Sequence, residues 1–388
     1  MNRILPFAVS AGLHAYIGWR LIPSLADWPR AASMLAAMLV LSFGLMHLGL
    51  QFRRRAHRYA DHLSWASMTA AGLFSSLFVL TLLRDIFLAL VALAAWLLSI
   101  GLNSSFTPIF FTELGAATAL LVPFSALIMT VIGMWNARRT ASVVKVDVPI
   151  AGLPAALHGF TIAQVSDIHV GPTIKGPYVG SIVEVVNGLN ADMVAVTGDL
   201  VDGSVADLAH HVSPLARLSS RHGTFFVTGN HEYYSGAHAW IVELRRLGLQ
   251  VLLNEHVVLQ HDAAALVIAG VTDISAHHFD PAHRSNPHGA IADAPDHALI
   301  RVLLAHQPRS AHQAANAGFH LQLSGHTHGG QFWPWNFFVR LQQPFTAGLH
   351  RFEDLWVYVS RGTGYWGPPK RFGAPSEITH LRLVRAIG

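Results

Sequence analysis

Five short apolar runs each stop at residues able to bind a metal ion. "TIAQVSDIH" ends on Asp167 and His169, and "MVAVTGDLVDG" carries Asp199. "TFFVTGNHE" ends on Asn230 and His231, "IRVLLAHQP" reaches His306, and "FHLQLSGHTH" ends on His326 and His328. A lone histidine means little in a chain with 25 of them. Asp, Asn and His at five consecutive run ends do not form a core-packing pattern. Carboxylate, carboxamide oxygen and imidazole suit Mn, Fe or Zn, and the chain has no cysteine to select a softer ion. Two such ions about 3.5–4 Å apart can share a hydroxide and clamp the attacking and leaving oxygens of a displacement at phosphorus. One carboxylate must then bridge them, and Asp199, at the central run end, is the natural choice. Gly198, Gly229 and Gly325 beside these positions allow turns that bring backbone and side chains close to the ions.

The elements that must hold these residues are legible as well. The runs are β-rich and end in polar or Gly-containing turns. "YVGSIVEVVNGLN" and "AHAWIVELRRLG" between them have helical apolar spacing. This β–α–β alternation predicts an α/β domain over 140–388, in which ligands gather at the carboxyl ends of strands. "VLLNEHVVLQ" and "ALVIAGVTD" read as strands of a more antiparallel half, and Ser275–Pro295 as a surface loop.

Taken in order, "DIH", "GDLVD", "GNHE", a lone His and "GHTH" resemble the calcineurin-like metallophosphoesterases, over roughly Val143–Gly388. The resemblance implies a four-layer α/β/β/α sandwich. It implies that Asp167, His169 and His328 bind one divalent metal and that Asn230, His306 and His326 bind the other, with Asp199 bridging. His231 is then not a ligand but approaches the phosphate, as leaving-group acid or transition-state stabiliser. Asp202 either orients the neighbourhood of Asp199 or caps the next helix. Glu232 either supports the site or lies on the surface.

Residues 1–139 have a different texture. The whole chain is 52% hydrophobic and 12% charged, against roughly 25% charged in soluble domains. About five apolar runs, near Ile4–Ile22, Ala31–Leu50, Leu63–Leu83, Ile86–Leu102 and Gly115–Trp135, predict a helical membrane domain. Only Arg84-Asp85 separates the third run from the fourth, as a tight turn or a re-entrant break. These helices resemble those of the family's membrane-attached branch. Residues 1–139 hold ten Lys/Arg against four Asp/Glu, and residues 140–388 hold sixteen against eighteen. The basic excess therefore belongs to the apolar half, where it marks topology. A slightly acidic soluble half argues against a nucleic-acid partner. Arg53-Arg54-Arg55 and Arg58 mark a cytoplasmic loop, and counting three further spans places the phosphoesterase domain outside the cytoplasm, in a bacterial plasma membrane. Arg138, Arg139 and Lys145 point the other way.

Aromatics crowd the end of the metal motif: Phe332, Trp333, Trp335, Phe337 and Phe338, with Tyr365-Trp366 further on. They read either as packing or as an apolar surface at the bilayer interface that admits an acyl chain. Arg361, Trp366, Lys370 and Arg371 are candidate substrate contacts. "RGTGYWG" (Arg361–Gly367) matches a dinucleotide fingerprint, but Pro368-Pro369 follows where a helix should open, so it reads as a rigid turn. The sequence thus predicts hydrolysis of a phosphoester or phosphoanhydride, of a membrane-associated or lipid-linked substrate, through a metal-bridging hydroxide. The alternative is a metal-bound sensor without significant turnover, which ought to lack a ligand, and none is missing.

Overall fold

The computed structural model describes residues 4–52, 59–102, 108–295 and 297–386. The chain divides into two compact units. One is Met1–Trp135 with Gly367–Lys370, and the other is Asn136–Trp366 with Arg371–Gly388.

The first unit is built on α1 (Ile4–Leu21), α2 (Pro29–Phe52), α3 (Ala60–Leu102) and most of α4 (Pro108–Arg138). Their shared core includes Ile17, Leu21, Leu39, Leu77, Val122 and Ala126. Among the described residues three helices are long and apolar enough to cross a membrane: Pro29–Gly49, Ala60–Ser99 and Ile109–Arg138.

The expected break at Arg84-Asp85 does not occur. The third and fourth apolar runs form one helix of 43 residues, about 65 Å at 1.5 Å per residue. Neither Gly nor Pro stands at the junction to interrupt it, and the polar pair is satisfied sideways. The Arg84 guanidinium donates to Ser24 Oγ (2.9 Å), Gly115 O (3.0 Å) and Thr118 Oγ1 (3.0 Å). Asp85 accepts from Tyr16 OH (2.6 Å) and Arg20 Nε (2.8 Å). Five separate helices therefore reduce to four. The basic loop of Arg53-Arg54-Arg55 and Arg58 lies outside the described residues.

The second unit holds two six-stranded sheets. In chain order its elements are β1 (Ser142–Ile150), β2 (Thr161–Val165), α5 (Gly176–Gly188), β3 (Met193–Val196), α6 (Val205–Val212), β4 (Thr224–Phe226), α7 (Asn230–Ser235), α8 (Ala237–Arg246) and β5 (Gln250–Val251). There follow β6 (Glu255–His261), β7 (Ala264–Gly270), α9 (Pro287–Ala290), β8 (Ile300–Leu304), α10 (Ala311–Asn316), β9 (Leu321–Ser324), β10 (Gly348–Phe352), β11 (Leu355–Val359) and β12 (Glu377–Arg385). One sheet runs β1-β12-β2-β3-β4-β5, the other β10-β11-β9-β8-β7-β6.

Side-chain alternation explains the layering. Ile162, Met193 and Ala195 of the first sheet meet Ile268, Val302 and Leu323 of the second in a core between the sheets. The intervening Ala163, Val165, Val194 and Val196 face out and pack with residues of α5 and α8. On the other side Leu303, Val357 and Val359 pack with Ala311 and Ala314 of α10. The order is helix, sheet, sheet, helix. Strands covered on both faces need continuous apolar sequence, which is why the site-bearing runs show so little polar alternation. The antiparallel reading of the second half holds for β6 with β7, whereas β7, β8 and β9 are mutually parallel. The stretch expected as a surface loop carries α9 and two short helical turns, 276–278 and 281–283.

Candidate metal centre

Parallel β2, β3 and β4 in one sheet and β8 and β9 in the other all release their chains at the same edge, and each following turn delivers predicted ligands. Asp167, His169, Asp199, His326 and His328 all sit at positive φ, between 51° and 69°. Asp and His tolerate the left-handed region better than most residues, but it still costs free energy, and such strain concentrates at functional sites. The close approach of the loops also demands glycine at two points. A side chain on Gly229 would overlap the Asp199 carboxylate, and one on Gly325 would overlap Ser166 and Asp167.

Six of the seven predicted ligands are brought together in two groups. Ligand-capable atoms of Asp167, His169 and His328 lie within 4.8 Å of one another, as do those of Asp199, His306 and His326. His169 Nε2 faces His328 Nε2 at 3.0 Å, and His326 Nδ1 faces His306 Nε2 at 3.2 Å. Each nitrogen pair also has a carboxylate oxygen near it, Asp167 Oδ1 at 3.5 Å from His328 Nε2 and Asp199 Oδ2 at 3.1 Å from His306 Nε2. Asp199 Oδ2 lies 3.1 Å from His306 Nε2 and 3.9 Å from His169 Nε2, so this oxygen reaches both groups. Asn230 Oδ1 is buried without a hydrogen-bond partner. A buried carbonyl oxygen left unpaired is costly, and a cation would satisfy it. Donor set, convergence and orphaned oxygen all fit bound divalent ions.

The local electrostatics call for positive charge. Burial pushes Asp199 up, yet His306, His231 and His169 outweigh it and hold the carboxyl well below its ordinary value. Burial lowers His169, but Asp202, Asp199 and Asp167 carry it up to about 9. Burial and the neighbouring His306 take His326 down to about 3.

Around the ligands stand residues whose roles the sequence left open. Asp202 Oδ1 lies 2.5 Å from His231 Nδ1 and 3.2 Å from His169 Nδ1, so it orients both rings rather than capping a helix. The cap of α6 is Ser204, which accepts from Asp207 N. Glu232 is fully buried and accepts from the backbone N–H groups of Asp199 (3.0 Å), Leu200 (2.7 Å) and Gly229 (2.7 Å). It therefore staples the β3 turn to the β4 turn.

The four candidate substrate contacts fare differently. Trp366 is 52% exposed, and its ring centroid lies 5.7 Å from that of His231. Arg361 pairs with Glu377 at 2.7 Å and keeps about a third of its side chain exposed. Arg371 and Lys370 are corrections, because neither is accessible. The Arg371 guanidinium is fully buried and donates to His328 O (2.8 Å) and Gly364 O, with His328 Nδ1 at 3.1 Å. It braces a ligand histidine from behind. Lys370, 1% exposed, belongs to the helical unit, where Nζ donates to Gly72 O, Ser76 Oγ and Thr130 Oγ1. Sequence reasoning placed both beside the site by charge alone, and charge does not reveal burial.

The aromatics divide too. Phe332 and Tyr365 are core residues, while Trp335, Phe337, Phe338 and Trp366 are between 41% and 67% exposed.

The calcineurin-like phosphoesterase family matches residues 160–330, which contain all seven predicted ligands. A transmembrane protein with metallophosphoesterase domain from Bos taurus is 41% identical over 272 residues, covering 67% of this chain and 61% of that protein. Its namesake from Danio rerio is 38% identical over 267 residues, again 67% and 61%. The match thus spans about three fifths of these two relatives. A metallophosphoesterase of Aquifex aeolicus is 32% identical over 224 residues, covering 57% of this chain and 84% of that protein. With this family match and relatives of 30% or more identity, one of them covered over 84% of its length, the chain belongs to the calcineurin-like metallophosphoesterases.

Proposed function

We propose that this chain hydrolyses a phosphoester or phosphoanhydride bond with two divalent metal ions, of Mn, Fe or Zn type, on a membrane-associated or lipid-linked substrate. The observation that carries the reading is the convergence of two ligand groups on Asp199, with Asn230 Oδ1 buried and unpartnered beside them. Asp167, His169 and His328 would hold one ion, Asn230, His306 and His326 the other, and Asp199 both. When bound, the ions supply Lewis acidity towards water and the phosphoryl oxygens.

The remaining chemistry belongs to the chain's own side chains. His231 stands at the rim with Nε2 4.0 Å from Asp199 Oδ2. Its Nδ1 is anchored by Asp202 Oδ1 at 2.5 Å, which fixes the ring and leaves Nε2 for a leaving oxygen. Asp202 stays ionised: burial raises it, but His169 and His231 hold it far below the usual carboxylate range. Tyr234 and Trp366 flank the His231 ring and limit water there. Exposed Trp335, Phe337, Phe338 and Leu341 support the lipid-linked substrate, because aromatic residues favour the membrane interface.

The uninterrupted α3 also changes the topology reading. With α2, α3 and α4 each crossing once, the loop at Arg53–Arg55 and the start of the phosphoesterase domain fall on the same side. Arg138, Arg139 and Lys145 then agree with the positive-inside rule, which favours a cytoplasmic domain over an external one. A fluorescent reporter fused after Lys145 should light up only on the cytoplasmic side.

The test of the activity is hydrolysis of bis-p-nitrophenyl phosphate by metal-stripped protein given Mn²⁺. Turnover that appears with the metal and disappears in Asp199→Asn supports the reading, and two ions per chain should accompany it. Absence of bound metal in the wild-type protein would sink the site assignment. Equal kcat/KM for soluble and lipid-linked substrates would remove the lipid link.

A further inference from the structure

A second concentration of metal-binding side chains lies outside the ligands described above. His238 near the start of α8, and Asp280 and His283 on the segment after β7, place ligand-capable atoms within 4.8 Å of one another. His238 Nε2 is 3.0 Å from Asp280 Oδ2, and His283 Nε2 is 4.0 Å from the same oxygen. A tetrahedral zinc ion with bonds of about 2.0–2.2 Å sets its ligand atoms roughly 3.3–3.5 Å apart, between those two values.

The trio is also oriented from behind. Asp280 Oδ1 accepts from Ala282 N at 2.9 Å, which leaves Oδ2 to face both imidazoles. His283 Nδ1 is 2.9 Å from Tyr233 OH, which is itself 3.3 Å from Thr228 Oγ1. Metal-binding histidines are usually fixed in this way through the other ring nitrogen, with Nε2 reserved for the ion. His238 is mostly exposed and can swing inward. A surface ion pair accounts for His238 with Asp280, but not for a half-buried His283 turned towards the same oxygen.

We propose that His238, Asp280 and His283 form a peripheral site for one zinc-class divalent ion, with water completing the coordination. The ion ties α8 to the 280–283 turn. Phe279 precedes that turn and packs 5.6 Å from Tyr234, whose ring lies 5.1 Å from His231. Occupancy therefore fixes one aromatic wall beside the candidate metal centre.

The test is equilibrium dialysis of full-length protein, purified in detergent without a histidine tag, against Zn²⁺. Metal per chain is read by mass spectrometry for the wild type, His238→Ala and His283→Gln. Both variants should hold one zinc fewer than the wild type. Because the measurement is a difference, it stands whatever the candidate metal centre itself retains. Thermal melting guards against misfolding: Zn²⁺ should raise Tm less in His238→Ala, an exposed position, than in the wild type. Equal zinc content in wild type and His238→Ala overturns the proposal.

Discussion

His231 and His169 share one oxygen atom: Asp202 Oδ1 lies 2.5 Å from Nδ1 of the first and 3.2 Å from Nδ1 of the second. One carboxylate thus orients both the rim imidazole and a proposed metal ligand. Asp202→Asn keeps the shape but removes the carboxylate charge that faces both rings. Turnover of an activated phosphodiester should fall roughly 10²-fold, within the range for general acid–base groups. Metal affinity should weaken about tenfold or more through His169. Turnover unchanged at saturating Mn²⁺ would mean that His231 works without Asp202.

By the proposed assignment His231 is not a ligand, whereas Asp199 would bind both ions. Their substitutions should therefore separate. His231→Ala should lose about 10²–10⁴ in kcat while retaining its metal content. Asp199→Asn should lose activity and metal together. Metal analysis beside the rate assay checks both, and metal loss in His231→Ala would move that residue into the ligand set.

The site was legible because its residues are local to strand ends. Each of the five motifs is short, and the turn that follows a buried strand fixes where its polar residues go. Asp202 and Glu232 were visible as residues but not as roles, since their partners lie about 30 residues away in the chain. Lys370 and Arg371 misled for a related reason. Adjacent cations look alike in sequence, yet one is held by helices near residues 72 and 130 and the other lies behind His328. The continuity of α3 was obscured by Arg84-Asp85, whose partners on α1, α4 and the turn at Ser24 are all non-local.

Glu232 should matter to folding as much as to chemistry. Its carboxylate receives three buried N–H groups from the two turns that carry Asp199 and Asn230. Glu232→Ala leaves them without their acceptor, at a cost of roughly 3–5 kcal/mol. In a domain of this size that corresponds to about 10 °C in Tm. Glu184→Ala, an exposed carboxylate on α5, should stay within about 0.5 kcal/mol of wild type. Similar melting of the two variants would show that the staple is energetically idle.

Lys370 sets a pH dependence of stability. Burial takes its ammonium from 10.5 down to about 8, so the unfolded chain holds this proton more tightly than the folded one. Between pH 8 and 10.5 the unfolded state binds more protons, and stability must rise with pH across that window. Below pH 8 the folded protein carries the full penalty of the buried charge, on the order of 3 kcal/mol. Lys370→Met removes the titrating group while keeping most of its length. Melting of detergent-solubilised protein between pH 7.5 and 9.5 should show Tm climbing faster in the wild type than in the variant. Identical slopes would place the titration elsewhere, and a steeper rise in Lys370→Met would reverse the assigned sign.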